Sequence, residues 1–487
     1  MVKNINRRDF VRSTIGGTAL SVSLGTVGSH ASNFSMIVSP EVDRIEYQQG
    51  MSDLSTIPNF CSHEHWGSID SIGKVEEGYR ADVEAGATPS RQTSIWDLVL
   101  DPYQSGNIKA AGTDFNTIAH SSGEQDFLSW WKRYPQKALQ VVQPHLERQM
   151  LTGTFQCIRR GILFLHGIDV ASFNVNDWIS ADETIAGCYT DMFSWYDKAM
   201  KKAHFSGLIR PVHPEFFFRR QDEGSAAKEL SFTHTIMRID PLLTFWRKDS
   251  PRRDRLADII GIEPRDAATW RMFINQLFDI AVQHKAVGIK QLQAYSRSLD
   301  FTPRTDSEVV WIGDLNPEQI SIFQDWVVLE CCKQAHERNL PHQIHVGTHN
   351  LVHSSPLPLE KLARRYPDMK IIMIHCWPFL DEAGWLAKQV ANIYIDTCWM
   401  PVLNPAFLKQ SFSSWINYVP YHKIMCAHDS TSIEMAVGSS LFTREILSET
   451  LTAQMGSLAL DSSHMTQIAK DMLHNVAVHV YSVGAEI

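Results

Sequence analysis

The sequence lacks the features that mark membrane, fibrous or nucleic-acid-binding proteins. Among its 487 residues, 45 are lysine or arginine and 54 are aspartate or glutamate, so the formal net charge is −9. This balance does not favour a broad nucleic-acid interface, which needs a basic face. The eight cysteines form no CxxC pair and match no zinc-ribbon or disulfide spacing. No internal repeat stands out, and a hydrophobic content of 44% indicates a globular protein with an ample core.

Residues 1–31 have the pattern of an export signal. Paired Arg7 and Arg8 precede a weakly apolar stretch, Ser13–Val27, and small residues favour cleavage after Ala31. The apolar stretch is too short and too polar to span a membrane. Residues 6–12 resemble the twin-arginine motif, whose export machinery carries folded proteins. We therefore expect a protein that this machinery exports to the periplasm. The alternatives for this segment are a general secretory signal and a disordered basic terminus.

After a polar linker over residues 32–55, short apolar runs alternate with helical patterns. Eight runs are candidate strands: Ile57–Ser62, Gly207–Val212, Thr233–Asp240, Ala286–Leu292, His342–Val346, Lys370–His375, Asn392–Asp396 and Lys423–Asp429. The later gaps carry helical patterns: Pro317–Glu337, Leu359–Tyr366, Leu380–Val390 and Pro405–Ile416. Strands that alternate with helices in this way predict a (β/α)8 TIM barrel over residues 56–487.

The first connection is too long for a minimal barrel. Residues 66–206 separate the first two predicted strands, whereas such connections usually have about 2–6 residues. Periodic stretches at Phe127–Trp131, Gln136–Met150 and Ala181–Ala203 indicate helices there. We expect a mainly helical insertion that covers one barrel mouth and helps to build a substrate pocket.

Two histidines end the first predicted strand, within the stretch Cys61–His65. Residues i and i+2 of an extended chain point to the same side, so His63 and His65 can bind one ion together. By itself the pair is also compatible with two ordinary histidines in a turn.

Polar residues end three later predicted strands as well, namely His345, His375 and Asp429. Each alone is compatible with a buried core histidine or a helix cap. Active sites of (β/α)8 barrels lie at the carboxyl ends of the strands. Five such residues at four strand ends therefore predict one shared metal site.

Four stretches add a family signature: Gly288–Lys290, Gln343–His345, Ile374–Pro378 and Asn392–Asp396. Together with the strand-end residues they resemble the amidohydrolase superfamily of metal-dependent barrel enzymes, and more narrowly its amidohydrolase-2 branch. The resemblance covers roughly residues 57–445 and is tightest from Gly288 to Asp429. Uronate isomerases, and the amidohydrolase-like domain fused to some glutamine-synthetase-like proteins, are similar in having long early insertions.

The resemblance implies roles for the strand-end residues. His63, His65 and Asp429 would bind one divalent ion, with Zn²⁺ favoured and Mn²⁺ or Fe²⁺ as alternatives for mixed nitrogen and oxygen ligands. His345 would be a further ligand or a near neighbour. His375 would polarise the substrate or hold the reacting water.

Two positions depart from the branch. His428 precedes Asp429 where the branch more often has a small residue. Lys290 lies on strand four, where two-metal members carry a carboxylated lysine. Its flanks resemble the single-metal branch better, so we expect a free ammonium that faces an anionic substrate group, with a solvent-exposed lysine as the alternative.

Five further residues follow strand ends or face the predicted mouth, and four of them are candidates for substrate binding. Arg238 and Asp240 end strand three, Tyr295 and Arg297 follow strand four, and Trp399 follows strand seven. An arginine fork would suit a carboxylate-bearing substrate. Asp240 is not among the substrate-binding candidates.

Other residues near the mouth leave two readings open. His349 and His353 follow strand five and either reach the pocket or are ordinary loop histidines. The aromatic stretches Trp130–Trp131 and Phe216–Phe218 either line the pocket or pack the insertion.

Together, these predictions favour a metal-dependent hydrolase. A bound divalent ion lowers the pKa of water from about 15.7 to roughly 7. The resulting hydroxide would attack a C–N or C–O bond of a small amide, lactone or ester. Asp429 would take up the proton and His375 would stabilise the oxyanion.

Two other functions compete with this hypothesis. A uronate-isomerase-like enzyme or a non-oxidative decarboxylase would use the same single-metal site. An exported, non-catalytic binding protein with a vestigial metal site is the third. All three functions imply a small-molecule ligand. The sequence leaves open whether the protein forms a homo-oligomer.

Overall fold

Eight parallel strands form one sheet in the order β1 to β8, so each strand pairs with the next along the chain. The computed structural model describes residues 54–66, 94–218, 228, 230–458 and 461–485. The predicted export signal and residues 32–53 of the linker lie outside these ranges. The strands are β1 Asn59–Cys61, β2 Phe205–Val212, β3 Thr233–Arg238, β4 Ile289–Gln291, β5 His342–Val346, β6 Ile371–His375, β7 Ile393–Asp396 and β8 Ile424–Met425.

This order confirms the predicted (β/α)8 barrel. The sheet curls until β1 and β8 approach each other at their carboxyl ends. There Asp429 N donates to His63 O (3.1 Å) and His65 N donates to Ser430 O (3.2 Å). The sheet is therefore joined at its edges by residues that follow the two strands.

Six strands are shorter than predicted, three of them by three residues or more. β1, β4 and β8 have three, three and two residues. The predicted strand Lys423–Asp429 ends early because the chain turns before Asp429, whose φ of 56° is left-handed. The apolar pattern extends past the ladder because residues after the last ladder bond are still buried.

The helices of the described residues surround the sheet. They are α1 Ile95–Val99, α2 Pro102–Ala110, α3 Phe115–Ser121, α4 Phe127–Arg133, α5 Pro135–Glu147, α6 Gly153–His166, α7 Val175–Cys188, α8 Met192–Ala203, α9 Pro251–Ile260, α10 Ala267–Gln283, α11 Pro317–Glu337, α12 Leu359–Arg365, α13 Leu380–Gln389, α14 Met400–Leu403, α15 Pro405–Trp415, α16 Ile433–Leu458, α17 Ser462–Lys470 and α18 Val476–Tyr481. None of these helices combines the length and the hydropathy needed to cross a membrane.

The predicted helix Pro317–Glu337 has the same bounds as α11, because both of its ends carry signals. Asn316 and Gln319 form a reciprocal capping box at its start. The predicted helical stretch Ala181–Ala203 is instead two helices. A 3₁₀ turn at Tyr189–Asp191 divides it, and Asp191 caps α8 by accepting from Ser194 N.

Helices α1 to α8 lie between β1 and β2, and they pack against the barrel through α6 and α16. The crossing is close at two glycines. A Cβ atom at Gly161 would lie 1.8 Å from Glu434 O, and one at Gly438 would lie 1.7 Å from Cys157 O. The side chain of Glu434 is buried there and accepts from Tyr189 Oη (2.7 Å) and Trp195 Nε1 (3.1 Å).

The C-terminal segment packs against β1 and β8. α17 continues through a π-helical turn, Asp471–Asn475, into α18. Cys426 N, just after β8, donates to Met472 O (3.0 Å). Buried Tyr481, the last residue of α18, accepts a hydrogen bond from Gln343 Nε2 on β5 (2.5 Å). The end of the chain thus reaches a residue on a barrel strand.

His342, the first residue of β5, provides a test of the buried barrel. Burial lowers the pKa of its imidazole to about 3. In the unfolded chain the imidazole binds a proton below about pH 6.5. The contribution of His342 to stability is therefore fully present above that pH and is lost as the pH falls toward 3.

We expect the free energy of unfolding to fall faster with acid in the wild type than in His342→Asn. The difference in slope should approach about 1.4 kcal/mol per pH unit between pH 6 and 4. Denaturant titrations at several pH values measure it. The exposed His422→Asn serves as the control. Equal slopes for His342→Asn and the wild type would contradict the prediction.

Candidate metal centre

Four predicted residues meet at the carboxyl ends of β1, β6 and β8. The carboxylate of Asp429 lies at the centre of this cluster. Its Oδ1 is 3.2 Å from His65 Nε2, and its Oδ2 is 3.7 Å from His63 Nε2 and 3.8 Å from His375 Nε2. His63, His375 and Asp429 are almost fully buried, whereas His65 is partly exposed.

Hydrogen bonds determine which nitrogen carries the proton in two of these histidines. His63 Nδ1 lies 2.7 Å from Gln343 Oε1, and His375 Nδ1 lies 3.3 Å from Cys398 O. Both partners are acceptors, so both Nδ1 atoms must carry the proton. The Nε2 atoms of His63 and His375 therefore present lone pairs to the Asp429 carboxylate.

The charges of the cluster follow from burial. Burial lowers the pKa of His63, His65 and His375 well below the ordinary value, so these imidazoles are neutral. Burial also raises the pKa of Asp429 to about 7, an effect that the charge of Lys290 opposes. Neutral imidazoles and a carboxylate are the forms in which these side chains bind metal ions.

A divalent cation fits this arrangement of donors. His63 Nε2 and Asp429 Oδ1 are buried and have no hydrogen-bond partner among the described residues. Acceptor atoms that face one another out of water repel, and a shared cation removes the repulsion. Nitrogen and oxygen donors suit Zn²⁺ and also Mn²⁺ or Fe²⁺.

His345 lies beside this cluster, in contact with other rings. Its ring centroid is 4.3 Å from that of His375, and its Nε2 is 2.8 Å from Thr348 Oγ1. With Nε2 engaged in this way, the geometry favours a near neighbour over a ligand.

Aromatic rings form one wall above the cluster. Trp399 stacks on His375, with ring centroids 4.2 Å apart, and it lies 5.4 Å from His349. Tyr295 lies 4.6 Å from His345 and 4.5 Å from His349. The structure thus brings Trp399, Tyr295 and His349 together over the histidines.

Two cationic side chains lie on neighbouring strands beside the cluster. Lys290 on β4 is paired in register with Arg238 on β3. Burial, and then the charge of Arg238, lower the pKa of the Lys290 ammonium to about 8. Arg238 Nε donates to Asp240 Oδ2 (3.1 Å), which leaves the rest of the guanidinium for other partners. These residues were predicted to bind an anionic group, and the structure places them together.

The structure corrects the predicted substrate-binding role of Arg297, because its guanidinium is hydrogen-bonded within the chain. It donates to Asp325 Oδ1 (2.6 Å) and to the carbonyl oxygens of Ser321 (3.1 Å) and Asp300 (3.2 Å). Its ring neighbour is Phe301, 5.0 Å away. These contacts hold the loop after β4 against α11 and leave no free fork for a substrate.

The two aromatic stretches that were predicted either to line the pocket or to pack the insertion lie in the protein interior. Trp130 and Trp131 belong to the core of the helices between β1 and β2, and Phe216 and Phe217 belong to the core around α10. His353 is half-buried in a turn after β5, where its backbone N–H donates to Asn350 O (3.2 Å).

The unusual His428 lies in a second buried cluster behind Asp429. Its Nδ1 is 3.0 Å from Glu64 Oε1, and Glu64 Oε2 accepts from Ser430 N (2.7 Å). Cys61 Sγ donates to the same Glu64 Oε1 (3.1 Å). His428 therefore occupies the place of a small residue because Glu64 offers it a partner.

The insertion reaches the cluster through α2. Tyr103 Oη accepts from Trp399 Nε1 (2.7 Å) and donates to Asp429 O (3.4 Å). Asp101, the N-cap of the same helix, accepts from Thr431 Oγ1. These contacts place the insertion beside the aromatic wall.

Four residues at the cluster were given no role from the sequence. They are Tyr103, Gln343, Cys398 and Tyr481. The i, i+2 spacing could have found Gln343, which lies on the same strand face as His345. Cys398 follows a strand end, as the predicted ligands do. Tyr103 and Tyr481 carry no local signal, because only the fold brings them near.

Left-handed backbone is concentrated around the cluster. Six non-glycine residues with positive φ follow the ends of β5 to β8: Thr348, His349, His375, Cys376, Trp399 and Asp429. Each such conformation costs on the order of 1–3 kcal/mol. Strain of this kind persists only where surrounding contacts hold it, and it is typical of functional sites.

Comparison with known families agrees with this geometry. Residues 308–426 match the model of the Amidohydro_2 family, described as amidohydrolase. The matched range contains His345 and His375 and ends before Asp429. Protein fluG from Emericella nidulans is 28% identical over 148 residues, which cover 26% of this chain and 17% of that relative. The chain therefore matches about a sixth of the relative's length.

Solved structures extend the likeness to most of the chain. A uronate isomerase from Bacillus halodurans superposes with a TM-score of 0.65 at 14% identity, covering 91% of this chain and 98% of that chain. A glucuronate isomerase from Caulobacter crescentus gives 0.68 at 13% identity, covering 94% and 99%. A protein described as a metal-dependent hydrolase, from Lactobacillus casei, gives 0.56 at 16% identity, covering 89% and 97%. At these identities the likeness shows the fold alone, a (β/α)8 barrel shared over most of the chain.

We expect Gln343→Leu to weaken metal binding by roughly 10–100-fold, because His63 loses the acceptor that orients its ring. Competition with a chromophoric chelator measures the affinity. Gln343→Glu keeps an acceptor for His63 Nδ1 and should retain more of it. Unchanged affinity in Gln343→Leu, with a folded protein by circular dichroism, would show that the contact does not position His63.

Proposed function

We propose that the protein is a metal-dependent hydrolase of the amidohydrolase superfamily, acting on a small carboxylate-bearing substrate. One observation carries the proposal. The Nε2 atoms of three histidines surround a buried aspartate within 3.8 Å, with neutral rings and no internal cation among them. This donor set at the carboxyl ends of barrel strands is suited to an ion that activates water.

The ion would be held by His63, His65 and Asp429, whose donor atoms converge. When bound, it supplies Lewis acidity that makes water more acidic and polarises a carbonyl oxygen. The protein residues then have to orient the substrate, move the proton and exclude bulk water.

Asp429 is the residue best suited to move the proton. Burial raises its pKa to about 7 in the metal-free site, and a bound cation would favour the carboxylate, which is the form that accepts a proton. Its backbone is held on both sides, since its N–H donates to His63 O (3.1 Å) and its carbonyl accepts from Trp399 Nε1 (3.2 Å). Asp429 would take a proton from the attacking water and return it to the leaving group.

His375 has a narrower role than the oxyanion donor expected from the sequence. Its Nδ1–H is used by Cys398 O, so its neutral ring offers only a lone pair at Nε2. We infer that His375 accepts a hydrogen bond from water or contributes to ion binding.

The substrate carboxylate is assigned to Lys290 and Arg238. Both lie on adjacent strands, and both charges act on His63 and His65. An ammonium and a guanidinium side by side repel each other, and a substrate anion between them would offset the part of that repulsion that Asp240 leaves. Trp399 and Tyr295 would cover the apolar part of the substrate.

Isomerisation of a uronate is the second candidate. The full-length likeness to two uronate or glucuronate isomerases supports it, as an analogy at the level of the fold. The mass of the product separates the two reactions. Hydrolysis adds one water, isomerisation leaves the mass unchanged, and decarboxylation removes carbon dioxide.

The first experiment combines elemental analysis with a screen of lactones, amides and uronates. We expect about one equivalent of a divalent metal ion per chain, because a single donor cluster of this kind is built. Asp429→Asn should lower both metal content and turnover, the latter by about 10²–10⁴-fold. Asp182→Asn, in the insertion, should change neither. Bound metal without any turnover would favour the non-catalytic binding protein.

A second experiment tests the carboxylate. Lys290→Gln should raise KM for an acid substrate by about tenfold or more, which corresponds to about 1.4 kcal/mol. The same variant should leave KM for the matching methyl ester or amide nearly unchanged. Steady-state kinetics on the two substrates measure the contrast, and an equal effect on both would argue against Lys290 as the carboxylate partner.

A further inference from the structure

We propose that Cys398 is an additional ligand of this metal site, so that the bound ion is held by sulfur as well as by nitrogen and oxygen. The inference deepens the proposed function and rests on it. Neither the sequence pattern nor the family match identifies this residue as a ligand. It is inferred from the arrangement of His63, Cys398 and Asp429.

The three residues offer donor atoms that all lie within 4.8 Å of one another, and all three are buried. His63 Nε2 and Asp429 Oδ2 are 3.7 Å apart, a separation that two ligands of one zinc ion at about 2.0–2.3 Å can have. The thiol of Cys398 lies within 4.8 Å of both donors. The thiol therefore reaches the carboxylate that the three histidines surround.

The second observation concerns the hydrogen bonding of the His63 ring nitrogen Nε2. His63 has no exposed surface, and its Nε2 has no hydrogen-bond partner among the described residues. Its Nδ1 is used by Gln343 at 2.7 Å, so only Nε2 remains for a ligand. A buried nitrogen lone pair facing a thiol and a carboxylate requires a cation or a proton between them.

The backbone holds Cys398 in place from several sides. Its N–H donates to Asp396 Oδ1 (2.7 Å), and its carbonyl accepts from His375 Nδ1 (3.3 Å). The flanking residues bond to the β8 segment, Thr397 N to Met425 O (3.0 Å) and Trp399 N to His428 O (3.3 Å). Cys398 is thereby fixed between the two strand ends that carry His375 and Asp429.

The second buried thiol cluster does not compete for the ion. Cys61, Glu64 and His428 also lie within 4.8 Å of one another. Their atoms already satisfy each other, since Glu64 Oε1 receives Cys61 Sγ (3.1 Å) and faces His428 Nδ1 (3.0 Å). Hydrogen bonds account for this cluster without an ion.

Ligation by Cys398 would determine which ions bind well. The thiol loses its proton to solvent as the ion enters, and the thiolate is the ligand. Thiolate is a soft donor that favours Zn²⁺ and Co²⁺ over Mg²⁺ and Mn²⁺. The site would therefore select a zinc-like ion.

Cobalt substitution of the full-length protein tests the proposal. We strip the protein with a chelator, add Co²⁺ alone and record the absorption spectrum. Wild type should show the visible d–d bands together with a near-ultraviolet sulfur-to-cobalt charge-transfer band. Cys398→Ser and Cys398→Asp should lose the charge-transfer band, and the aspartate variant should keep the d–d bands because it retains an anionic ligand.

Cys61→Ser is the matched control, since it removes the other buried thiol near Asp429, and it should keep the charge-transfer band. Loss of the band in Cys61→Ser but not in Cys398→Ser would overturn the proposal in favour of the second cluster. Cobalt d–d bands without any charge transfer in the wild type would overturn it as well, while leaving the proposed function intact. No cobalt binding at all would overturn both.

A selectivity measurement gives an independent readout. Competition between Zn²⁺ and Mn²⁺ should favour Zn²⁺ less in Cys398→Ser than in the wild type, by at least the roughly 10–100-fold that loss of a supporting contact costs. An unchanged preference, in a variant that still binds Zn²⁺, would show that the thiol is not a ligand and would overturn the proposal.

Discussion

Two backbone hydrogen bonds join the carboxyl ends of β1 and β8, and the residues that form them also carry the polar side chains of the site. Asp429 N donates to His63 O, and His65 N donates to Ser430 O. The contact that closes the sheet and the contact that brings two histidines to a carboxylate are therefore the same. A shift of either strand would separate His63 from Asp429, so the geometry of the site depends on the closure of the barrel.

Support for the site comes from both ends of the chain. Tyr481, near the C-terminus, accepts from Gln343, which in turn accepts from His63. Tyr103, in the insertion, contacts Trp399 and Asp429. A ligand that is oriented by a second layer of hydrogen bonds loses less conformational entropy when an ion binds. The long insertion and the C-terminal helices thus contribute contacts to the candidate site as well as to the core.

The strand ends also hold unfavourable conformations. His375, Trp399 and Asp429 all have positive φ, and each is fixed by hydrogen bonds to a neighbouring strand end. The buried donors are held apart from water as well, which keeps the histidines neutral. Both costs are offset by the large apolar core that surrounds the sheet. These conformations bring the candidate ligand side chains together at one end of the sheet.

The sequence by itself determined the barrel, the bounds of helices such as Pro317–Glu337, and the five strand-end residues, because strand periodicity and helix caps are local signals. It could not separate His345 from the ligands, since the contact with Thr348 depends on a turn. The sequence also predicted that Arg297 binds the substrate, although its guanidinium donates to Asp325 on α11. Tertiary structure alone decided the roles of Tyr103, Gln343, Cys398 and Tyr481. These residues lie far apart in the chain, and only the closing of the sheet brings their side chains to one carboxylate.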